Sequence, residues 1–462
     1  MKKNVVEFIP TKEEEQEYLA YKTEQDFINN LESGINDLDR MEIARDNRKI
    51  VLISGAMVAF DKGTIQYLNQ MVDNDGETRY ILLSEVTAEN RRKTRECINF
   101  EYLCTPHLLA KEMFVSCFPI TISKEIKEYI SERGYLCRAI ENLHGRHRNA
   151  GKGYVEAWVC YADRYIQRLL DKVHPQKVVL WNEFYAFHMI FDHICAARKI
   201  PVMYMEFGCI PGTLSLESLG QQGESYIARH PWRFRTLPVR REEIRFAETV
   251  KQYIVERRLN RNKQPEYGRL NIRKEEIGKP IIVYFGQNDY ESGLAPYTEK
   301  SRKYHSPFLK STQEGLEILQ NLAEKNDWIL IYKPHPIMQN LGMDEDVSFQ
   351  DIRMNDINIH ELIDCADVVV TILSQSAYEA IMRDKPVVML GYTELHKSGI
   401  IYEAYSQQKV EKILKQAIKK GYTKRQRKRF IRHIARLLKY CLLDDQTHPE
   451  FPYGKEIAGG TQ

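Results

Sequence analysis

Short apolar runs alternate with polar, helix-like segments along most of this sequence. In the first half the runs are KIVLI (49–53), RYILLS (79–84), EYLC (101–104), KVVLW (177–181) and IPVMYME (200–206). The segments between them predict helices near 86–97, 150–173 and 183–198. Apolar runs of this length, separated by helices, are typical of parallel strands that are covered on both faces of a sheet.

A second series of apolar runs follows a charged stretch at 239–279. It predicts strands at 280–286, 328–332, 347–352, 366–373 and 386–390, and helices at 311–325, 359–365 and 376–383. The fold class is therefore α/β, with two Rossmann-like domains that face each other across a cleft. In such sheets ligands bind outside the carboxyl ends of the strands, so strand ends are where we look for chemistry.

The length of 462 residues is sufficient for two separate hydrophobic cores. We predict a helical lead-in at 1–48, an N-terminal Rossmann-like domain at 49–240, a linker helix and loop at 241–279, a C-terminal Rossmann-like domain at 280–400, and C-terminal helices with a tail at 401–462. The linker, the second domain and the C-terminal helices are assigned from the second series of strands and from the charged stretches on either side of it.

The composition indicates the cellular compartment of the protein but does not identify a binding partner. Lys and Arg total 67 against 64 acidic residues, and this balance alone does not imply nucleic acid. Nine cysteines without a C-x-x-C pair indicate free thiols in a reducing compartment. The N-terminus becomes acidic before any apolar core forms, and no apolar run approaches the roughly 20 residues of a membrane span. We expect a cytoplasmic protein, or one attached to the membrane from that side.

The sequence Lys333-Pro334-His335-Pro336 directly follows a predicted buried strand. The two prolines restrict the backbone, which would hold the imidazole at the carboxyl edge of the sheet. The His-Pro dipeptide by itself carries little information, because it occurs three more times in the chain. His335 is therefore either a ligand-binding residue or a structural loop histidine.

A second strand end carries Ser374, Gln375 and Ser376, followed by the helical sequence AYEAIM. Unpaired amides at the start of a helix bind phosphate well, and a serine there can also act as an ordinary cap. Glu379 lies about one turn inside the helix. It is placed either to reach a ribose hydroxyl or to face solvent.

Two further strand ends carry glycine beside a polar residue. Glu206 precedes Gly208 and a loop that leads to Thr213, so its carboxylate is either a general base or a structural group. Gly286 and Gln287 follow the first strand of the second domain. They either admit a sugar or base edge close to the backbone or form an ordinary turn.

Taken in order, these motifs resemble the capsule polysaccharide biosynthesis family. The order is E-x-G-x-x-P-x-T, G-Q-x-D, K-P-H-P, and S-x-S-x-x-E-A followed by K-P-V-V, within roughly 175–395. Characterised members of that family are GT-B-type transferases of Kdo from CMP-Kdo. The His-Pro and serine motifs are also similar to those of bacterial GT-B sialyltransferases and polysialyltransferases, which use CMP-sugars.

The resemblance implies that His335, Ser374 and Ser376 hold the nucleotide phosphate and that Glu206 takes the place of the acidic motif. A second acidic residue of the sialyltransferase motif is replaced by Phe207, which leaves the identity of the base open. With the strand-end residues, the predicted site has Glu206 and His335 as catalytic residues, Gly286, Gln287, Lys333, His335, Pro336, Ser374, Gln375, Ser376 and Glu379 on the donor side, and Gly208 and Thr213 on the acceptor side.

We therefore expect a glycosyltransferase that moves Kdo or another acidic sugar from a CMP-sugar onto a polysaccharide or glycolipid acceptor of the bacterial surface. No cofactor and no essential metal are expected; Asp344-Glu345-Asp346 has metal-motif spacing, but we place it in an exposed loop. Three alternatives stay open: a CDP-glycerol-type polyol-phosphate transferase, a nucleotide-sugar 2-epimerase, and a non-catalytic component of capsule assembly.

The segment 412–439 contains twelve basic residues and no acidic one. On a helix its apolar residues Phe430, Ile434, Leu437 and Leu438 share one face, which arginines and lysines surround. This face either packs on the core or lies on anionic lipid at the inner membrane, or the segment follows a polyanionic acceptor. Aromatic residues are sparse within it, and we expect no nucleic-acid partner.

Overall fold

The computed structural model describes residues 24–40, 47–55, 76–84, 101–104, 121–146, 152–270, 272, 278–335, 348–349, 352–444, 448 and 450–451. The chain divides into two compact units. Unit 1 comprises Met1–Glu206 with Asp445–Thr447, and unit 2 comprises Phe207–Asp444 with His448–Gln462. The division falls before residue 207, earlier than the expected domain boundary at 240. The helix expected at 86–97 lies outside the described residues.

Unit 1 is built on five parallel strands in the order β3-β2-β1-β4-β5. These are β1 (Lys49–Ser54), β2 (Thr78–Ser84), β3 (Glu101–Cys104), β4 (Lys177–Trp181) and β5 (Val202–Phe207). The helices are α1 (Glu24–Arg40), α2 (Lys124–Ser131), α3 (Tyr135–Arg146), α4 (Lys152–Val173) and α5 (Ala186–Ala197). This strand order is that of a Rossmann-like sheet, and it confirms the prediction for the first half of the chain.

Helix α4 forms the centre of the core of unit 1. It buries Trp158, Tyr165 and Ile166 against strand residues that include Leu52 and Leu180. The apolar residues of α4 recur at helical spacing and cover a broad face of the helix. This breadth allows most of the helix to be buried. Helices α2 and α3 were not predicted, because they are short and mostly polar.

Unit 2 contains a second parallel sheet, in the order β13-β12-β11-β7-β8. Its strands are β7 (Ile281–Phe285), β8 (Ile329–Lys333), β11 (Val368–Thr371), β12 (Val387–Met389) and β13 (Tyr402–Glu403). The expected strand at 347–352 is wrong: β9 (Ser348–Phe349) and β10 (Ile352–Arg353) pair antiparallel with each other instead. The polar pair Gln350-Asp351 interrupts the apolar run at that point of the sequence.

The helices of unit 2 include several that the sequence pattern did not separate from loops. They are α6 (Tyr226–Arg229), α7 (Pro231–Thr236), α8 (Arg241–Glu256), α9 (Glu299–Tyr304), α10 (Thr312–Asn326), α11 (Ile359–Cys365), α12 (Ser376–Met382), α13 (Gln407–Lys420) and α14 (Lys424–Tyr440). Strand β6 (Thr213–Glu217) pairs antiparallel with β14 (Leu442–Asp444).

The segments that flank the parallel sheet of unit 2 share its core. Phe234 of α7, Val250 of α8 and Leu437 of α14 lie in one buried cluster with Val283 and Val369 of the sheet. This packing explains why the chain from residue 207 onward belongs to unit 2. It also makes the predicted linker and C-terminal helices parts of one folded unit.

The basic segment forms two helices rather than one, with Gly421 at φ +60° between them. On α14 the apolar face consisting of Phe430, Ile434, Leu437 and Leu438 is buried. A face that packs on the protein core is not available to lipid, so of the alternatives for this face the core interpretation is correct. The charged residues Arg425, Lys428 and Arg432 remain exposed.

Candidate functional site

Unit 2 contains a cavity of about 680 Å³ at the carboxyl ends of β7, β8 and β11. Eight of the residues predicted from the sequence line it: Gly208, Gly286, Lys333, His335, Ser374, Gln375, Ser376 and Glu379. They come from four separate places in the chain. The parallel strands β7, β8 and β11 bring three of these places together, because strands that run in the same direction end at the same edge of the sheet. Gly208 comes from the loop after β5.

His335 stands two residues beyond β8, beside Gly286 at the end of β7. The Gly286 N–H donates to the carbonyl of Lys333 at 2.9 Å. A Cβ at residue 286 would lie 2.9 Å from the Tyr332 hydroxyl and 3.3 Å from the backbone nitrogen of His335, so only glycine fits without displacement. Burial, and secondarily the charge of Arg261, lowers the pKa of His335 to about 4. The imidazole is neutral at pH 7 and retains one N–H donor.

The serine turn between β11 and α12 is held by its own hydroxyls. The Ser376 hydroxyl donates to the Ser374 hydroxyl at 2.9 Å, and the Ser376 N–H donates to the same oxygen at 3.2 Å. Gln375 occupies the cap position of α12 without a side-chain capping bond. Both serines line the cavity, and their hydroxyls can donate hydrogen bonds to an anion bound there.

Arg261 and Asn260 are site residues that we did not predict from the sequence. Arg261 donates to Oε1 of Gln375 at 2.7 Å, and Asn260 donates to Oε2 of Glu379 at 2.8 Å. Removal from water raises the pKa of Glu379 to about 7, while the charge of Arg261 acts in the opposite direction. The sequence feature that could have indicated these two residues is the run of amide and basic residues after α8, within the predicted linker.

Phe207, which departs from the acidic motif, contacts this arginine. The guanidinium carbon of Arg261 lies 5.3 Å from the centroid of the Phe207 ring. The Phe207 carbonyl accepts from Nε2 of Gln375 at 3.3 Å. An aromatic face attracts a cation without neutralising its charge, whereas a carboxylate would form an ion pair with it. The substitution thus leaves Arg261 available to an anionic ligand.

Lys333 lines the cavity, but its ammonium group is bonded to the protein backbone. It donates to the carbonyls of Met354 and Ile357, the latter at 3.1 Å. Burial lowers its pKa to about 8. These bonds hold the turn that follows β10 against the end of β8, which gives Lys333 a structural role whether or not it also binds donor.

Four other predicted residues are not among the residues that line this cavity. Gln287 is buried and links two strand ends, since it accepts from the Leu373 N–H at 2.8 Å and donates to Ser292 at 3.0 Å. Thr213 donates to the Ile210 carbonyl at 2.7 Å and closes the loop after β5. Glu206 is the last residue of unit 1. Pro336 lies outside the described residues, as do Asp344, Glu345 and Asp346.

Gly208 and Thr213 are close neighbours for a structural reason. The Gly208 N–H donates to the Thr213 carbonyl at 2.8 Å, and a Cβ at residue 208 would lie 2.0 Å from the Thr213 hydroxyl oxygen. Glycine is required here by packing alone. The acceptor-side role of these two residues stays a prediction.

The described residues contain neither a metal-binding cluster nor a membrane-spanning helix. No group of three or more His, Cys, Asp or Glu side chains there is arranged to hold a metal ion. Likewise, none of the helices in the described ranges is both long enough and apolar enough to cross a bilayer.

The fold and the cavity define an α/β protein of two parallel-sheet units with a polar ligand site at the strand ends of unit 2. Residues 294–430, which contain β8, the His335 position and the serine turn, match the family described as capsule polysaccharide biosynthesis protein. The resemblance inferred from the motifs is thereby confirmed for this segment. No curated protein matches the chain.

Solved structures similar to this chain include two Kdo transferase domains of Thermosulfurimonas dismutans KpsC. The β-Kdo 2,7 transferase is 20% identical, with a TM-score of 0.34, over 53% of this chain and 74% of that one. The β-Kdo 2,4 transferase is 14% identical, with a TM-score of 0.37, over 51% and 75%. A glycosyltransferase from Rickettsia africae is 11% identical, with a TM-score of 0.33, over 90% and 100%.

Proposed function

We propose that this protein is a nucleotide-sugar-dependent glycosyltransferase of bacterial capsule or surface polysaccharide synthesis, with Kdo or another acidic sugar as the donor sugar and CMP as its carrier. The observation that carries the proposal is the convergence of His335, Ser374, Ser376 and Arg261 around one cavity. The match of residues 294–430 to the capsule family supports the same conclusion from an independent direction.

The cavity groups suit a single phosphate. Arg261 supplies a permanent positive charge, and the Ser374 and Ser376 hydroxyls supply donors at its edge. His335 adds a neutral N–H, so the site carries moderate rather than strong charge. Glu379, with its carboxyl beside Asn260, is placed to accept a hydrogen bond from a ribose hydroxyl of the nucleotide.

In the proposed reaction an acceptor hydroxyl attacks the anomeric carbon of the donor sugar. The bond from that carbon to the phosphate oxygen breaks, and CMP leaves with the electron pair. Negative charge develops on the phosphate in the transition state, where Arg261 and the His335 N–H stabilise it most. The acceptor proton passes to a base, for which Glu206 stays the candidate. The acceptor would be a polysaccharide or glycolipid, bound through unit 1.

Donor screening tests the proposal directly. The purified full chain is incubated with CMP-, CDP- and UDP-linked donors, and release of free nucleotide or sugar is followed with and without EDTA. We expect slow hydrolysis of a CMP-linked acidic sugar that is unaffected by EDTA. Turnover of UDP-sugars alone, release of CMP from CDP-glycerol, or epimerisation of the donor would each contradict the assignment.

A further inference from the structure

Unit 2 contains a second groove, whose lining residues do not overlap with those of the cavity described above. It has a volume of about 330 Å³ and is lined by Arg229, Lys303, Tyr304, Tyr392, His396 and Lys397, among others. We refer to these six residues as the basic groove. They come from α6, α9 and the loop after β12, so the groove is a feature of the tertiary fold and not of one segment.

Three cations, Arg229, Lys303 and Lys397, lie in the basic groove. In the part of the chain that the structure describes, no carboxylate forms an ion pair with Arg229, Lys303 or Lys397. Two acids near these cations, Glu224 and Glu403, already bind other groups of the protein. Glu224 is buried and pairs with Lys300 at 2.7 Å and His305 at 3.1 Å, and Glu403 accepts from His396 at 3.2 Å.

Aromatic rings accompany these cations. Arg229 lies 5.4 Å and Lys303 4.9 Å from the centroid of the Tyr304 ring. Next to the groove, Arg235 donates to the Lys397 carbonyl at 3.1 Å and lies 4.7 Å over the ring of Trp232. Trp232 is 65% exposed. Tryptophan is enriched at binding interfaces because it combines a large apolar ring with an N–H donor, and Trp232 presents such a ring beside these cations.

The positive surface continues from Arg235 onto α14. Burial, together with the nearby charges of Arg425 and Arg235, lowers the pKa of Arg429. Burial and the nearby charges of Arg432 and Arg235 likewise lower the pKa of Arg436. Like charges held this close repel one another in the ligand-free protein. An anion bound along the surface would relieve that repulsion.

We propose that the basic groove and the adjoining Trp232–Arg235 surface bind an acidic glycan, with one sugar ring and its carboxylate in the groove. A cavity of this volume is at the lower limit for small-ligand sites and is about the size for one sugar residue. Its concave shape fits a single chain better than a flat bilayer. This inference goes beyond the proposed transfer reaction, because it concerns glycan binding in the absence of donor.

The test uses the full chain and a defined probe, a hexamer of α-1,4-linked galacturonic acid, with neutral maltohexaose for comparison. Binding is measured by calorimetry and by the change in tryptophan fluorescence, with the Trp232→Ala variant identifying the part of that change that comes from Trp232. We expect saturable binding of the acidic hexamer that weakens with salt, and no comparable binding of maltohexaose. Equal binding of both oligosaccharides would overturn the proposal.

Matched charge reversals locate the site. The variant R229E/K303E should lose at least about tenfold in affinity for the acidic hexamer, since two charge-assisted contacts become repulsive. The control K419E/K420E makes the same change in net charge on exposed residues of α13 and should retain affinity within about twofold. Trp232→Ala should weaken binding without a change in melting temperature. Equal losses in both double variants would mean bulk attraction and no site.

Two competitors distinguish other partners. Phosphatidylglycerol vesicles and a single-stranded oligothymidylate should displace the hexamer poorly; effective displacement by either at lower concentration would assign the groove to lipid or nucleic acid and contradict the proposal. CMP binding to R229E/K303E, measured in parallel, should equal that of the unmodified protein. Failure of CMP to bind at all would count against the proposed transferase and not against the glycan groove.

Discussion

Arg261 contacts two uncharged neighbours, and its charge also acts on the Glu379 carboxyl. The Phe207 ring packs on one side of it, and Gln375 accepts from one of its N–H groups at 2.7 Å. Neither neighbour is an acid. The arginine is thus pre-positioned beside the serine turn, and a bound phosphate would replace a neutral amide partner with a charged one.

Removal of this charge should weaken nucleotide binding. Arg261→Ala is expected to reduce CMP affinity about ten- to a hundredfold, since a hydrogen bond to a charged group contributes about 1.5–3 kcal/mol. Isothermal titration calorimetry with CMP measures the change. Arg257→Ala, which removes an exposed arginine stacked on Tyr253, is the matched control and should bind CMP normally. Unchanged affinity of the Arg261 variant would exclude a phosphate-binding role.

A second readout of the same variant does not depend on any ligand. The charge of Arg261 contributes to the lowered pKa of His335, although burial is the larger cause. Arg261→Ala should therefore raise the pKa of His335, and an NMR titration of its ring protons would show it. A structural role for Arg261 far from the imidazole would leave that titration unchanged.

At single residues, the sequence identified side chains that follow apolar runs and missed those that do not. His335 and Ser374 lie two and three residues after the ends of β8 and β11, so the apolar runs before them indicated their positions. Arg261 follows a helix, and its partner Gln375 is distant in the chain, so no local pattern links them. Gln287 follows β7, but its side chain turns inward to bond Leu373, and the sequence holds no signal for that direction.

One contact between short elements requires a glycine that the sequence pattern did not identify. Gly223 lies in the 3-10 turn Gln222–Glu224, against the end of α9. A Cβ at this position would lie 1.6 Å from the carbonyl oxygen of Tyr304 and 2.8 Å from that of Tyr392. Both are backbone atoms, which cannot rotate away as a side chain can.

Gly223→Ala should therefore destabilise unit 2. Overpacking of this kind costs about 1–3 kcal/mol, and urea unfolding would show a lower midpoint. Gly134→Ala is the matched control, because no atom lies within 4 Å of its added Cβ, and it should leave the midpoint within experimental error. An unchanged midpoint in the Gly223 variant would show that the turn and α9 can separate at little cost.

The elements predicted well are those whose burial is continuous. Strands β1, β4 and β7 are short apolar runs between polar segments, and their predicted bounds differ from the structure by one residue at most. Strands β6 and β14 were missed because each is half polar and gains its partner only through the tertiary fold. The C-terminal helices expected within 401–462 are present as α13 and α14, and Gly421, at a positive φ, separates them.

For the whole molecule, buried histidines predict acid sensitivity. Burial lowers the pKa of His188, His335 and His360 to about 4 and that of His433 to about 3. The unfolded chain binds protons to these groups near pH 6.5, whereas the folded chain does not, so stability is lost as pH falls from 6.5 towards 4. Each pKa unit corresponds to about 1.4 kcal/mol, and we expect a loss of several kcal/mol in urea unfolding.

Two buried carboxyls act in the opposite direction. Burial raises the pKa of Glu217 and of Glu379 to about 7, so their contribution to stability is lost as pH rises from 4.5 through 7. Because the four histidines outnumber the two carboxyls, the free energy of unfolding should rise with pH up to 6.5. Above pH 6.5 it should decline slightly. His433→Gln, which can still bond Tyr378, should reduce the acid slope, and stability independent of pH below 6.5 would refute this account.

The shared core of unit 2 limits how the gene can be divided for expression. A fragment cut at residues 280 and 400 would retain four strands of the parallel sheet but lose β13 (Tyr402–Glu403), and it would lack Val250 and Leu437, which cover one face of the sheet. The uncovered face would favour aggregation of such a product. Recombinant fragments of this half should therefore include α8 and α14, whose Val250 and Leu437 cover that face.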